Sequence, residues 1–271
     1  MMYSYKGCIP SKYDARDYRL KAAGSTSLPE AFTINRLPKV KDQGAVNSCV
    51  AHSTSSILEY HDMMEGNSTT LSTNFLYGIQ KQLCGYEGMG MYLRDVCKIV
   101  NTYGDMLESD CPGNVEVPKA HSIAEEAIKD ETKVKKASNF KIASYVRLTK
   151  ENDIKRAIMS YGPVLASVKW YNTFHCNDQH VLVGEKSGDY GYHAVMLYGW
   201  CKEGYLVQNS WGKNWGKQGR FVLPFDTGVR EAWQMVDAES DEVVKPVRGP
   251  IIDIIYRVIN YIINIFERLK K

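Results

Sequence analysis

The chain has 271 residues, 44% of them apolar and 24% charged, enough to bury one large core or two lobes sharing an interface, so a chain disordered along its length is excluded. Its net charge of +3 is unevenly placed: residues 1–244 carry 28 basic and 29 acidic groups, and residues 245–271 carry six and two. The body is neutral and the tail basic, and no Lys/Arg run or stripe suits a nucleic-acid partner.

Residues 1–27 form a polar, tyrosine-rich arm that closes on Gly24-Ser25-Thr26-Ser27, a linker-like run. The arm lacks the apolar stretch and small-residue cleavage site of a secretory signal, which predicts a cytoplasmic protein. Seven cysteines (Cys8, Cys49, Cys84, Cys97, Cys111, Cys176 and Cys201) form no CxxC and no Cys/His ligand pattern. Free thiols are expected, with no metal and no cofactor.

Asn47 or Ser48 is placed to cap a helix running from Cys49 toward Glu65, with Gly66 as its stop. Val50, Ala51, Thr54, Ile57, Leu58 and His61 recur at helical spacing, so one side should be buried. A second helix is predicted over Met91–Tyr103, ending at Gly104, with Cys97 on its apolar side. Residues 121–137, rich in Ala, Glu and Lys, read as an exposed helix or a linker between halves. Helical spacing returns in ENDIKRAIMSY and stops at Gly162-Pro163. The period then becomes strand-like in VLASVKWY, YHAVMLYGW, GYLVQNSW and GRFVLPF, separated by glycine-rich turns. A helical half followed by a β half predicts an α+β protein of two lobes with a cleft between them.

A thiol attacks only as thiolate, and an ordinary cysteine with a pKa of ~8.5 is mostly protonated at neutral pH. Cys49, in the first turn of its helix, gains help from unpaired N–H groups and the positive end of the dipole. An imidazole must supply the rest. Among six histidines, His193 stands in GYHAVMLYGW, where strand alternation fixes the backbone, and Asn209 follows sixteen residues later as an acceptor able to hold the ring. His52, one turn from Cys49, reads as a packed or hydrogen-bonded histidine.

These residues carry a resemblance. QGAVNSCVA, GYHAV and QNSWGKNWG, in that order, resemble the nucleophile, histidine and Asn-Ser-Trp-Gly blocks of the papain-like cysteine peptidases, and LPEAFTI and GPVLASVKWY resemble the start of the mature domain and the opening strand of its β lobe. The resemblance covers about residues 28–237. It implies a two-lobe papain-like fold, with a mainly helical lobe about 41–118 and a β-barrel-like lobe about 138–237. It also implies hydrolysis of polypeptides through a thioester on Cys49. His193 would be acid and base, Asn209 would orient it, and the Gln43 amide with the Cys49 N–H would meet the oxyanion. Trp211 would lie over the His193–Asn209 pair and Trp215 in the core. Gly90, Met91 and Ala194 would border the site for the second residue on the acyl side. Val46, Asn47 and Val50 depart from the family pattern; with Val46 in place of a cysteine, one family disulfide cannot form. The short PSKYDARDY arm fits bacterial or phage-type members. It would either cover the cleft and hold the enzyme latent or strap the lobe surface.

Beyond Asp237 the resemblance ends. In residues 251–269, thirteen of nineteen side chains are apolar, and Asp253, Arg257, Asn260, Asn264, Glu267 and Lys271 recur three or four apart, which predicts an amphipathic helix. Buried charges argue against a transmembrane span; the helix would pack on its own chain or a partner, or lie on a membrane surface as a peripheral anchor. Two other functions use the same residues: acyl transfer to an amine, as in a transamidase, and a silent peptide-binding module. The four intact polar groups argue against silence.

Overall fold

A computed structural model describes residues 4–12, 14, 17–20, 27–237 and 243–244, with backbone alone at 19–20 and 243–244. The predicted helix at 250–271 lies outside the described residues. No helix among the described residues is long and apolar enough to cross a membrane.

The arm contributes β1 (Cys8–Ile9) and β2 (Arg19–Leu20), and a short β3 (Phe32–Thr33) follows. A helical layer comes next: α1 (Cys49–Met64), α2 (Thr73–Cys84), the two-residue β4 (Met91–Tyr92), α3 (Leu93–Thr102), α4 (Lys119–Ala127) and α5 (Glu131–Ala137). Then β5 (Ser144–Leu148) and α6 (Glu151–Tyr161) lead into β6 (Val164–Tyr171), β7 (His175–Cys176), β8 (Leu182–Val183), β9 (Tyr190–Trp200), β10 (Gly204–Gln208), β11 (Arg220–Pro224), β12 (Glu231–Val236) and β13 (Val243–Val244).

The main sheet runs β11-β10-β9-β6-β12-β5, with β3 pairing the far end of β9. Every pairing in it is antiparallel. Because strand side chains alternate, the sheet serves two cores. Leu165, Ala194, Met196, Trp233 and Met235 face the helices, where they meet Val50, Ile57, Phe75, Leu93 and Val96. Ala166, Val168, Trp170, Val195, Leu197 and Val207 face away, toward Ile154, Ala157 and Ile158 of α6 and toward Trp211 and Phe221.

Four expectations shift. The second predicted helix begins at Leu93, because Met91 and Tyr92 pair in parallel with Cys8 and Ile9 instead. Residues 121–137 are helical, one of the two readings, but α4 is not simply exposed: it buries Ala120, His121, Ala124 and Ala127, and a Cβ on Gly78 of α2 would stand 2.2 Å from the Ala120 carbonyl oxygen. Glycine there allows the close approach of α2 and α4. The run GYLVQNSW stops being a strand at Gln208. The fourth concerns α2, which the sequence pattern did not single out. Ser72 caps it by accepting the Phe75 N–H at 2.9 Å, and Gly85 ends it in the left-handed region at φ +70°.

Candidate active site

Cys49 opens α1, and its residue is fully buried. Ser48 occupies the N-cap position without a side-chain cap; its hydroxyl turns to Asn114 Oδ1 at 3.0 Å and lies 3.1 Å from His52 Nδ1. The first amides of the helix are thereby left for the thiol: the N–H groups of Cys49 and Val50 both stabilise its anionic form. The Ala194 N–H approaches the sulfur at 3.4 Å from β9.

His193 stands beside Ala194 on β9 and donates Nε2–H to Asn209 Oδ1 at 2.7 Å. Leaving the strand at Gln208 makes that bond possible. Asn209 pairs its N–H with the Gly219 carbonyl, and its Oδ1 also accepts the Ser210 N–H, so the amide is oriented before the imidazole meets it. Trp211 stacks on the His193 ring with centroids 4.6 Å apart, and Trp170 meets the ring edge-on. Trp215 packs edge-on against Trp211 and Phe221 in the outer core. Gln43 is anchored through Oε1, which accepts the Ser210 hydroxyl, so its Nε2 points the other way.

Burial decides the charge state of the pair. It pushes the Cys49 thiol up to about 12 and the His193 imidazole down to about 4, the latter partly offset by Asn209. As described, both groups are neutral, and His193 Nδ1 makes no hydrogen bond among the described residues. His52 behaves as the sequence suggested: it is buried and donates Nδ1–H to the Ser48 carbonyl at 2.9 Å.

The cover over these groups is the N-terminal arm. Ser4 pairs its N–H with the Gly44 carbonyl, and its own carbonyl accepts two donors, Gln43 Nε2 and Trp211 Nε1, each at 3.2 Å. The Ser4 hydroxyl donates to Asn47 Oδ1, and Asn47 is clamped through its backbone N–H and its Nδ2 by Glu116 Oε1. Lys6 pairs with Asp189 at the surface. The Gly7 carbonyl accepts the Met91 N–H at 2.9 Å, and a Cβ on Gly7 would stand 2.4 Å from the carbonyl oxygen of Asn47, two residues before Cys49. Cys8 is buried against Ser167, and the Ser11 N–H reaches Glu231 Oε2 at 2.8 Å.

Cys49, His193, Asn209, Gln43 and Trp211 therefore converge, as do Gly90, Met91 and Ala194. Gly90, at φ +86°, abuts the Gly7 carbonyl, whereas Ala194 acts through its N–H on the sulfur. Ser4, Gly7, Cys8, Ser167, Ser210 and Glu231 were not singled out as site residues by sequence reasoning. Ser210 lies within the QNSWG block and Ser167 within VLASVKWY, and PSKYDARDY marked the arm. All seven cysteines are free, and no group of three or more His, Cys, Asp or Glu among the described residues is arranged to hold a metal.

Comparison with known proteins places these residues in context. The profile of the family described as papain family cysteine protease matches residues 29–237. A cathepsin B-like cysteine proteinase 3 of Caenorhabditis elegans is 25% identical over 241 residues, covering 79% of this chain and 61% of the relative, so the chain spans about three fifths of that protein. An uncharacterized peptidase C1-like protein of Acanthamoeba polyphaga mimivirus is 26% identical, with 88% of each chain covered. Among solved structures, xylellain, a cysteine protease from Xylella fastidiosa, superposes with a TM-score of 0.75 at 22% identity, covering 88% of this chain and 99% of the other.

Proposed function

The chain belongs to the papain family of cysteine proteases, and we propose that it is a cysteine-type endopeptidase whose own arm occupies the cleft until it is displaced. The observation that carries this is the extended arm backbone crossing Cys49, with the Ser4 carbonyl between Gln43 Nε2 and Trp211 Nε1. A cleft that binds the chain's own backbone through main-chain and amide donors binds a substrate polypeptide by the same chemistry.

In the proposed reaction the Cys49 thiolate attacks the scissile carbonyl, and His193 gives a proton to the leaving amine. Water activated by the same imidazole then releases the acyl group. Asn209 holds the ring through Nε2–H, leaving Nδ1 for the proton exchanged with the thiol. The Gln43 amide and the Cys49 N–H stabilise the oxyanion. Trp211 keeps water from the His193–Asn209 bond.

The arm is not a substrate in waiting, because its polarity is wrong. With Gly90 and Met91 on the acyl side, a substrate would place its N-terminal part there. The arm instead places Cys8 and Ile9 beside Met91 and Tyr92, and its earlier residue Ser4 beside Gln43.

Labelling tests the nucleophile, and turnover of a fluorogenic peptide tests the hydrolysis. Iodoacetamide or an epoxide probe is applied near pH 6 to protein whose arm is displaced by Gly7→Val, with and without an excess of peptide substrate, and the modified cysteines are mapped. Selective, substrate-protected labelling of Cys49 that disappears in His193→Ala is the expected outcome; even labelling of several cysteines would refute it.

A further inference from the structure

Cys8 follows Gly7, the residue at which the arm crosses the nucleophile. Its thiol is buried at 3% exposure and donates to Ser167 Oγ at 3.2 Å. Ser167 lies directly opposite Ala194 in the pairing of β6 with β9, and the Ala194 N–H is the group that approaches Cys49 Sγ at 3.4 Å. Directly opposed residues of an antiparallel pair have Cα atoms ~4.5–5.5 Å apart, so both sulfurs are anchored on one cross-strand pair. Burial and then the neighbouring Cys49 hold the Cys8 thiol well above its ordinary value, an electrostatic sign of the same proximity. Space filling would be served by alanine and a hydrogen bond to Ser167 by serine; the sulfur adds redox chemistry.

We propose that Cys8 and Cys49 are a redox pair, which a small-molecule disulfide of the glutathione class converts to an intramolecular disulfide that locks the arm in the cleft. This rests on Cys49 being the nucleophile beneath the arm.

The exchange begins on chains whose arm has lifted, because in the covered state both thiols are neutral and inaccessible. The Cys49 thiolate attacks one sulfur of the small disulfide; a Cys49–sulfur bond forms, the small disulfide breaks, and one thiolate leaves and takes up a proton. The arm then settles. Cys8, deprotonated, attacks the Cys49 sulfur, the Cys8–Cys49 bond forms, and the second small thiol departs protonated. Two protein thiols are oxidised, one small disulfide is reduced to two thiols, and no proton is gained or lost overall. A reducing dithiol reverses the sequence and frees the nucleophile. Peptidase activity would then require both displacement of the arm and a reducing environment.

Full-length protein is equilibrated with oxidised glutathione, quenched in acid, digested without reductant and mapped by mass spectrometry, in parallel with Cys8→Ser and Cys8→Ala. In the unaltered chain the expected product is one cross-linked species joining the peptides of Cys8 and Cys49, lighter by two hydrogens and resolved by dithiothreitol. In both variants Cys49 should instead keep glutathione as a stable mixed disulfide. Near-ultraviolet circular dichroism of the reduced proteins checks that the variants fold. If Cys49 of the unaltered chain also retains glutathione, or Cys8 pairs with another cysteine, the proposal is overturned. Turnover of a fluorogenic peptide by reduced Gly7→Val protein, in which the arm is displaced, separates the two ideas: activity there without the cross-link in the unaltered chain defeats the latch, and the cross-link without that activity defeats the peptidase.

Discussion

The side-chain amide of Gln43 donates to the carbonyl oxygen of Ser4 at 3.2 Å. The donor assigned to the oxyanion is therefore already engaged by the chain's own arm, and the Trp211 indole shares the same oxygen. Latency of the proposed kind would need no distortion of the catalytic residues, only that their donors be taken and their solvent removed.

Gly7 is the point at which that cover is most easily broken. A Cβ built on it would stand 2.4 Å from the Asn47 carbonyl oxygen and 2.6 Å from the carbonyl carbon, backbone atoms held by the Asn47–Glu116 clamp. Full-length Gly7→Val is expected to hydrolyse a fluorogenic dipeptide substrate faster than the unaltered chain, and a synthetic peptide spanning residues 4–12 should inhibit that variant in trans. Initial rates measured side by side decide the matter, and equal rates would remove the arm from the regulation of this enzyme.

Asp17 pins the far end of the arm. Its carboxylate takes Arg94 Nε at 2.8 Å and Nη2 at 2.6 Å, and Arg147 Nη1 approaches at 3.3 Å. Asp17→Asn leaves two guanidinium groups stacked near Trp233 without their counter-charge. Because both cations still reach water, the cost should be about 1–3 kcal/mol rather than the full penalty of a broken buried pair. If the bond serves the arm, urea titration will show reduced stability together with raised peptidase activity; a loss of stability with unchanged activity would confine Asp17 to the fold.

Helix α1 was legible from the helical recurrence of Val50, Ala51, Thr54, Ile57 and Leu58 and β9 from its apolar run, and three separated blocks placed Cys49, His193 and Asn209 together. The single buried side expected of α1 is not what forms: residues 49–59 are buried without a break, as are residues 193–197 of β9. Packing erases the period further on. All six residues of β12 are buried, because helices cover one face and the outer core the other, so EAWQMV shows no alternation. In α2 the apolar stripe is broken by Gly78 and Gln80, whose reasons are distant: contact with Ala120 and a hydrogen bond to the Gly90 carbonyl. The arm was legible as a segment but not as a path, since β1 has two residues and its partner lies more than eighty residues away.

Acid should open the cleft. Burial lowers His193, His52 and His61 to about 4 from the ordinary 6.5, so the closed, folded state stays unprotonated where a hydrated histidine would bind a proton. The stabilisation is complete above the unperturbed value and is lost as pH falls from about 6.5 toward 4, at up to about 1.4 kcal/mol per pH unit for each histidine. For His193 the same linkage favours lifting of the arm, because the open state hydrates the ring. Stopped-flow assays of full-length enzyme pre-incubated between pH 7 and 5 should show a lag that shortens with acid, and Gly7→Val should show no lag at any pH. A lag independent of pH would mean that His193 stays buried when the arm moves.

Gln43→Glu isolates the oxyanion donor. The carboxylate keeps an oxygen for the Ser210 hydroxyl but has no N–H to offer. In a chain whose arm is already displaced by Gly7→Val, kcat should fall by ~100- to ~1000-fold with KM little changed, the pattern for an interaction made chiefly in the transition state. A rise in KM at constant kcat would show instead that Gln43 only grips the ground-state backbone.

Glu231 bears on which peptides replace the arm. Its residue is 4% exposed, Oε1 accepts the Trp233 indole N–H at 2.7 Å, and Oε2 accepts the Ser11 N–H at 2.8 Å. Ser11 leaves with the arm, and Glu231 lies opposite Ser167, the residue that Cys8 touches. Displacement therefore bares a carboxylate oxygen at the subsite the Cys8 side chain had filled, and an unpaired buried carboxylate favours a cationic partner. Peptides carrying Arg at the position that enters this subsite should be cleaved in preference to their Leu counterparts by the Gly7→Val enzyme. A charge-assisted hydrogen bond contributes about 1.5–3 kcal/mol, so Glu231→Gln should reduce the ratio of kcat/KM for the Arg and Leu peptides by roughly 10- to 150-fold. Competition between the two peptides in one assay cancels enzyme concentration, and an unchanged ratio would place Glu231 outside the subsite.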